Sequence, residues 1–150
     1  MANTFTNLLY HVVFSTKGRE PLIRDNWRDE LYAYVGGVVR NERGTLIQAG
    51  GTADHVHLLM KLPASAAIAD MLRLVKANSS KWANESAFSR GAFAWQTGYA
   101  AFSVSESNAP AVGRYIRNQV EHHRGLSFQE EFVALLQRHG VAYDPRYLWR

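Results

Sequence analysis

The chain has 150 residues with no cysteine, 47% hydrophobic and 12% aromatic residues, and a net charge of +4. That is the length of one domain with enough apolar content to close a core, so a mainly disordered chain, disulfides, thiolate catalysis and cysteine-ligated zinc or iron–sulfur centres are excluded. The basic excess is modest and leans toward the C-terminal half, which is compatible with a phosphate-bearing partner without requiring one.

A first strand is predicted over residues 4–15, where Phe5, Leu9, His11 and Val13 alternate with Leu8, Tyr10, Val12 and Phe14. Ser15 to Arg19 breaks it as a short basic loop. Asp25 is the expected N-cap of a helix carrying Trp27, Leu31, Tyr34, Val35, Val38 and Val39 at helical spacing up to Asn41, with Gly44 as its stop. Gly36-Gly37 inside it costs about 1 kcal/mol per residue relative to Ala and points to close packing against a sheet. Residues 45–49 read as a strand, Gly50-Gly51 as a turn, and residues 55–62 as another strand ended by Pro63. A second helix follows from Ser65, with Ile68, Met71, Leu72, Val75, Ser79 and Trp82 on one stripe and Arg73, Lys76 and Lys81 away from it. Residues 93–104 alternate as a further strand, with Gly98 as a bulge or close approach.

The order is β-α-β-β-α-β, which predicts an α+β, ferredoxin-like split βαβ fold with an antiparallel sheet over a core of residues 3–106. Helices on one face would leave the other free for a site. Two C-terminal helices are predicted, over residues 108–123 and 127–139. The second opens with a capping box from Ser127 to Glu130 and stops at Gly140. The last residues, rich in Tyr143, Tyr147, Leu148 and Trp149, are too apolar to float and should dock. With no linker or repeat, residues 1–150 are expected to form a single domain. No apolar run approaches the ~20 residues of a membrane helix. The start, Met1 to Phe5, lacks the pattern of a secretory signal, so no membrane partner and a cytoplasmic location are expected.

On the strand of residues 55–62, Val56, Leu58, Met60 and Leu62 share one face, expected under the helices; His55, His57, Leu59 and Lys61 share the other. Two imidazoles two residues apart on an open face can converge on one ion. An isolated His-x-His also arises by chance, so the pair alone does not define a site. Asp54 fits either as a carboxylate orienting a ligated imidazole or as a turn residue. Farther on, Tyr115 and Gln119 stand at i, i+4 on one helix face. Tyrosine is a poor nucleophile at neutral pH, and a divalent ion that polarises a phosphate would help it. Each also has an ordinary reading, Tyr115 as packing and Gln119 as a solvated position. His122 and His123 fit as further ligands or as partners of a helix C-terminus.

Five blocks in order resemble the single-tyrosine, His-hydrophobe-His transposases of the smallest bacterial insertion sequences, the transposase A proteins of the insertion-sequence two-hundred and six-hundred-and-five group. They are His11 to Lys17, Asp54 to Leu59, Lys76 with Ser79-Ser80, Trp95 to Val104, and Tyr115 to Gln119, and the resemblance covers residues 5 to 148. It implies that Tyr115 is a nucleophile that cleaves single-stranded DNA and holds the 5′-phosphate covalently. It also implies that His55, His57 and Gln119 hold magnesium or manganese, with Asp54 behind them. Because the phosphotyrosine conserves the bond energy, no ATP is needed, and no phosphate-binding Gly-rich Lys-Ser/Thr loop is present. Two ends need two tyrosines, so a homodimer is implied, with Tyr115 working on the partner's histidines in trans. The DNA partner would carry hairpins at its ends and lie in the bacterial nucleoid.

Lys17, Arg19, Lys61, Arg73, Lys76 and Lys81 are the candidates for phosphate contact, each of which is also an ordinary solvated charge. Gly18 and Ala77 depart from the family's common residues. Both departures touch hairpin contact or helix packing rather than the nucleophile. Three other readings are a non-catalytic single-strand nucleic-acid-binding module, a replication-initiator or relaxase nickase with the same chemistry, and a domesticated nickase of repeated genomic hairpins.

Overall fold

The computed structural model describes residues 3–86 and 91–149; the termini of the single unit expected over 1–150 lie outside them. Its first strand, β1, runs Leu8–Ser15, followed by helix α1, Arg28–Asn41. A hairpin of β2, Thr45–Gly51, and β3, His55–Leu62, leads to α2, Ile68–Glu85, and β4, Ala100–Val104. The strands form one antiparallel sheet in the order β2-β3-β1-β4, the split βαβ arrangement expected from the sequence. After the sheet come α3, Ala109–Arg117, a single turn α4, Gln119–His122, and α5, Phe128–Arg138.

One face of the sheet packs under α1 and α2. Val12 and Phe14 of β1 and Val56, Leu58, Met60 and Leu62 of β3 meet Leu31, Val35 and Val39 of α1 and Met71, Leu72 and Val75 of α2. Trp27, Phe93 and Trp95 close one end, with ring centroids 5.6 Å apart for Trp27–Phe93 and 4.7 Å for Phe93–Trp95.

The other face is not open. Phe128, Phe132, Leu135 and Leu136 of α5 cover Val13, Ala100 and Phe102, and Tyr143, Leu148 and Trp149 of the tail pack on the same cluster. Burying each such aliphatic or aromatic side chain contributes ~1.5–3 kcal/mol. The C-terminal helices therefore make a second layer that encloses the histidine face of β3, where His55, His57 and Leu59 are all buried.

Local differences from the predicted elements have local causes. Asp25 does not cap α1: Arg28 donates to its carboxylate instead, while Arg24 to Arg28 closes a separate turn. Gly50 and Gly51 do not form a turn but continue β2, opposite His57 and Val56, and the turn falls on residues 52–54. Of residues 93–104 only the last five form a strand. Before it, one bridge of Trp95 with Thr16 is backbone pairing, and side chains add the remaining bonds: Asn84 bonds both the N–H and the carbonyl of Phe93 (2.8 and 2.9 Å), and Gln96 Oε1 accepts from Ser15 N (2.7 Å). The helix expected over 108–123 is interrupted at Asn118, whose φ of −98° and ψ of 25° separate α3 from α4. The capping box of α5 is formed, Glu130 N donating to Ser127 Oγ (3.1 Å) and Ser127 N to Glu130 Oε1 (3.2 Å).

Candidate active site and metal centre

The two histidines of β3 point into the space between the sheet and the second layer. His55 Nδ1 donates to Asp54 Oδ1 (2.8 Å), and Thr52 Oγ1 donates to the same carboxylate oxygen (2.9 Å). Asp54 is itself fixed because its carbonyl accepts from Thr16 N at 2.9 Å. A proton on Nδ1 leaves His55 Nε2 as a lone pair, and that lone pair faces Gln119 Oε1 at 3.0 Å. Two acceptors aimed at one point are the donor chemistry a divalent cation satisfies, and His57, beside them on the same face, brings a third atom. His55, His57 and Gln119 therefore fit the ion implied by the resemblance.

Two site residues were not singled out from sequence. His11, on β1, lies with its Nε2 2.8 Å from His57 Nδ1. Glu131 comes from α5, only 1% exposed, and gathers the site around itself. Its Oε1 lies 3.0 Å from His57 Nε2 and 3.0 Å from His123 Nε2. Its Oε2 accepts from Gln119 Nε2 (3.0 Å) and from the Tyr115 hydroxyl. Tyr115 is thus brought to the histidines of its own chain, its ring centroid 5.7 Å from that of His57.

The seat of α3 depends on Gly50. Ile116 is fully buried, and a Cβ added to Gly50 would lie 2.0 Å from the Ile116 carbonyl oxygen. Only a residue without a side chain lets the helix backbone rest on β2 there, and that contact sets Tyr115 and Gln119 at the depth of the histidines. At Gly36, by contrast, a Cβ would meet Leu46 at an ordinary 3.6 Å, so the close packing expected there is absent.

Burial shapes the charges. It holds the His57 imidazole down to about 4 against the pull of Glu131, and, together with the neighbouring His57, holds His11 down to about 3. Burial also opposes charge on Glu131, but hydrogen bonds from His123, His57 and Tyr115 outweigh it and keep the carboxyl well below the usual carboxylate range. Burial and then the bond to Glu131 push the Tyr115 hydroxyl up. For His123 burial is outweighed by Glu131, and its pKa is raised.

A pH dependence of stability follows. Below about 6.5 the unfolded chain protonates His11 and His57, whereas the folded chain resists until about 3 and 4, so stability falls as pH drops through that window. His123 works the other way. In chelator, the urea midpoint is expected to be lower at pH 5 than at pH 7.5 by a stability difference on the order of a few kcal/mol, and His11→Gln should reduce the difference. An equal midpoint at both pH values would remove this account.

The candidate phosphate-contact residues are spread around the chain. Lys17, Lys61, Arg73 and Lys81 are exposed, Arg73 with Asp70 at 3.9 Å. Arg19 lies over the Trp149 ring, 5.0 Å from its centroid. Lys76 donates to the carbonyls of Thr97 (3.0 Å) and Gly98 (2.8 Å), and burial brings its ammonium down to about 8. It pins the segment before β4. Among the described residues no helix is long and apolar enough to cross a membrane.

Comparison with known proteins bears on this site. A family model described as "Transposase IS200 like" matches residues 4–119. The transposases for insertion sequence element IS200 of Salmonella typhimurium and Salmonella typhi are each 27% identical over 130 residues, covering 81% of this chain and 82% of the relative. In fold, the chain is similar to a Deinococcus radiodurans R1 crystal structure described as a candidate transposase, with a TM-score of 0.61 and 24% identity over 78% of this chain and 94% of the other. It is also similar to a REP-associated tyrosine transposase bound to a REP hairpin, with a TM-score of 0.57 and 12% identity over 76% and 67% of the two chains. The family match takes in His55, His57, Tyr115 and Gln119 and ends before His122, His123 and Glu131, and on it the chain belongs to the IS200-like family of transposases, which are DNA-processing enzymes.

Proposed function

We propose that this chain cleaves and rejoins single-stranded DNA at insertion-sequence ends through a 5′-phosphotyrosine on Tyr115, with a divalent cation at His55, His57 and Gln119 and Asp54 orienting His55. The observation that carries this reading is the hydrogen bond from the Tyr115 hydroxyl to Glu131, the same carboxylate that touches His57. A tyrosine at the edge of a buried histidine cluster is what phosphotyrosine chemistry needs.

Tyr115 Oη gives up its proton and attacks the phosphorus, the bond from phosphorus to the 3′-oxygen breaks, and that oxygen takes up a proton, so the DNA leaves with a free 3′-hydroxyl. The proton of Tyr115 points at Glu131 Oε2. In the reverse step a 3′-hydroxyl attacks the phosphotyrosine and Tyr115 leaves, so no ATP enters. Bound magnesium or manganese would polarise the phosphate and offset the charge that builds on it. His11 supports His57, Gly50 seats the tyrosine helix, and the second layer keeps water from the histidines. The REP-hairpin complex of a structural relative supports hairpin DNA as the partner. Lys17, Arg19, Lys61, Arg73, Lys76 and Lys81 are the candidates for contact with its phosphates.

His57→Ala is expected to lower adduct formation and weaken manganese binding measured by calorimetry. Unchanged affinity would sink the ligand assignment. A homodimer supplies the two tyrosines that two DNA ends require. In its trans form, Ile116 would leave Gly50 of its own chain and dock on Gly50 of the partner subunit. Mixing Tyr115→Phe with His57→Ala chains should then restore part of the adduct, since one intact site forms from two damaged chains. Absence of rescue, with subunit exchange demonstrated, would assign the working site to a single chain.

A further inference from the structure

Five donor atoms meet between the sheet and the second layer: Nε2 of His55, His57 and His123, Gln119 Oε1 and Glu131 Oε1. Their separations are His55–Gln119 3.0 Å, His57–Glu131 3.0 Å, His123–Gln119 3.0 Å, His123–Glu131 3.0 Å and His55–Glu131 3.6 Å. Neighbouring ligands of an octahedral ion with bonds of about 2.1 Å stand ~3.0 Å apart. These edges have the length of a coordination shell, and the ligand atoms fall in two groups that share Glu131, each within 4.8 Å: His55, His57 and Glu131, and His122, His123 and Glu131.

Hydrogen bonding alone does not satisfy the contact between His55 and Gln119. His55 gives its Nδ1 proton to Asp54 (2.8 Å), and His123 gives its own to the Leu126 carbonyl (2.5 Å). His55 then presents an Nε2 lone pair to Gln119 Oε1, whereas Glu131 holds on His123 Nε2 a proton that a bound ion would displace. Gln119 cannot relieve this by turning its amide over, because its Nε2 donates to Glu131 Oε2 (3.0 Å), and the turned amide would set oxygen against oxygen. Two facts add weight: Glu131 is a charged residue at 1% exposure, and it sits in the stripe of α5 that otherwise holds Phe128, Phe132 and Leu135.

We propose that Glu131 and His123 are metal ligands together with His55, His57 and Gln119, and that this three-imidazole, two-oxygen set selects a transition-metal dication of the manganese–cobalt type over magnesium. The proposal rests on the metal-dependent reading above and goes beyond its three ligands. Magnesium keeps oxygen ligands and several waters, whereas imidazole nitrogen suits the transition ions. Glu131 then has one oxygen for the ion and one for the Tyr115 hydroxyl, so the ion ties α5 and the α3–α4 segment to β3.

The test uses the full chain stripped with chelator and titrated with manganese, cobalt and magnesium chlorides, followed by calorimetry and thermal melting. Pulsed EPR of the manganese-loaded wild type should show coupling to three imidazole nitrogens. Glu131→Gln and His123→Ala should each weaken manganese binding at least about tenfold and change the visible absorption of the cobalt form. Magnesium at the same concentration should raise the melting temperature far less than manganese. His123 is partly exposed, so His123→Ala keeps the test alive if the Glu131 variant fails to fold.

Two coupled nitrogens in the wild type, or variants that keep wild-type affinity and cobalt spectrum while His57→Ala loses them, would overturn the proposal and leave a three-ligand site standing. Equal affinity for magnesium would overturn the selectivity. Retention of binding in all three variants, His57→Ala included, would overturn the metal-dependent reading itself.

Discussion

Tyr115→Phe is expected to abolish the covalent protein–DNA adduct, by at least ~10³-fold, while the protein remains folded and continues to bind DNA. The substitution removes one hydroxyl and its bond to Glu131. Glu131 keeps its contacts with His57, His123 and Gln119, so the carboxylate is not stranded. The ring still packs against His57 and His11, with centroids 5.7 and 6.1 Å away. Loss of a single partly satisfied hydrogen bond costs about 1 kcal/mol, small against a domain's total. The chemistry, by contrast, loses its attacking atom. A denaturing gel of DNA incubated with each protein reads the difference, and a wild-type adduct yield from the variant would take Tyr115 out of its role.

The second large effect is expected from a residue with no side chain. Gly50→Ala sets a methyl group 2.0 Å from the Ile116 carbonyl oxygen, an overlap with backbone that no rotamer change can relieve. Either β2 or α3 must move. Overpacking of this kind costs roughly 1–3 kcal/mol of stability. The cost to function is larger, because Tyr115 adjoins Ile116 in the chain and a displacement of about 1 Å at a reacting atom can slow a reaction ~10²-fold. Single-turnover adduct formation should slow by about that factor, whereas Gly36→Ala, whose methyl would meet Leu46 at 3.6 Å, should react at the wild-type rate. A Gly50→Ala protein that reacts as fast as wild type would show that the close approach of α3 does not position the tyrosine.

The order of the strands and first two helices was legible because each has its own period: alternation on β3, from His55 to Leu62, and a three-to-four spacing on α2, from Met71 to Val75. The face carrying His55 and His57 was legible too. What covers it was not, since periodicity says which residues are apolar and nothing of what they pack against. Alternation alone puts the histidines on an open sheet face, and Phe128, Phe132, Leu135 and Leu136 in fact lie over that face. The same gap explains the two glycine pairs. Gly36-Gly37 stands out in the sequence as a pair inside a helix, while Gly50, which reads as a turn, is the close contact because α3 returns to it from far along the chain.

Tyr115 and Gln119 gained their roles from family resemblance, since spacing alone did not separate them from ordinary packing and solvated positions. Glu131 had a readable signal that went unused: within the predicted helix it is the charged residue at a core position, three after Phe128 and one before Phe132. His11 had a weaker one, as a polar residue on the apolar alternation of β1, where Leu9 and Val13 share its face. Neither could be joined to His57 without knowing that α5 and β1 meet there.

The most direct test of phosphotyrosine chemistry at Tyr115 is a mass measurement on the adduct. Single strands from each flank of the protein's own gene, incubated with the full chain and manganese, would be digested with nuclease and trypsin. The peptide containing Tyr115 is predicted to gain the mass of a 5′-nucleotide in a manganese-dependent way, from one flanking strand and not its complement. A nucleotide found on any other residue, or no modified peptide while the hairpin strand is bound tightly, would contradict the account and leave a protein that binds single-stranded DNA without cutting it.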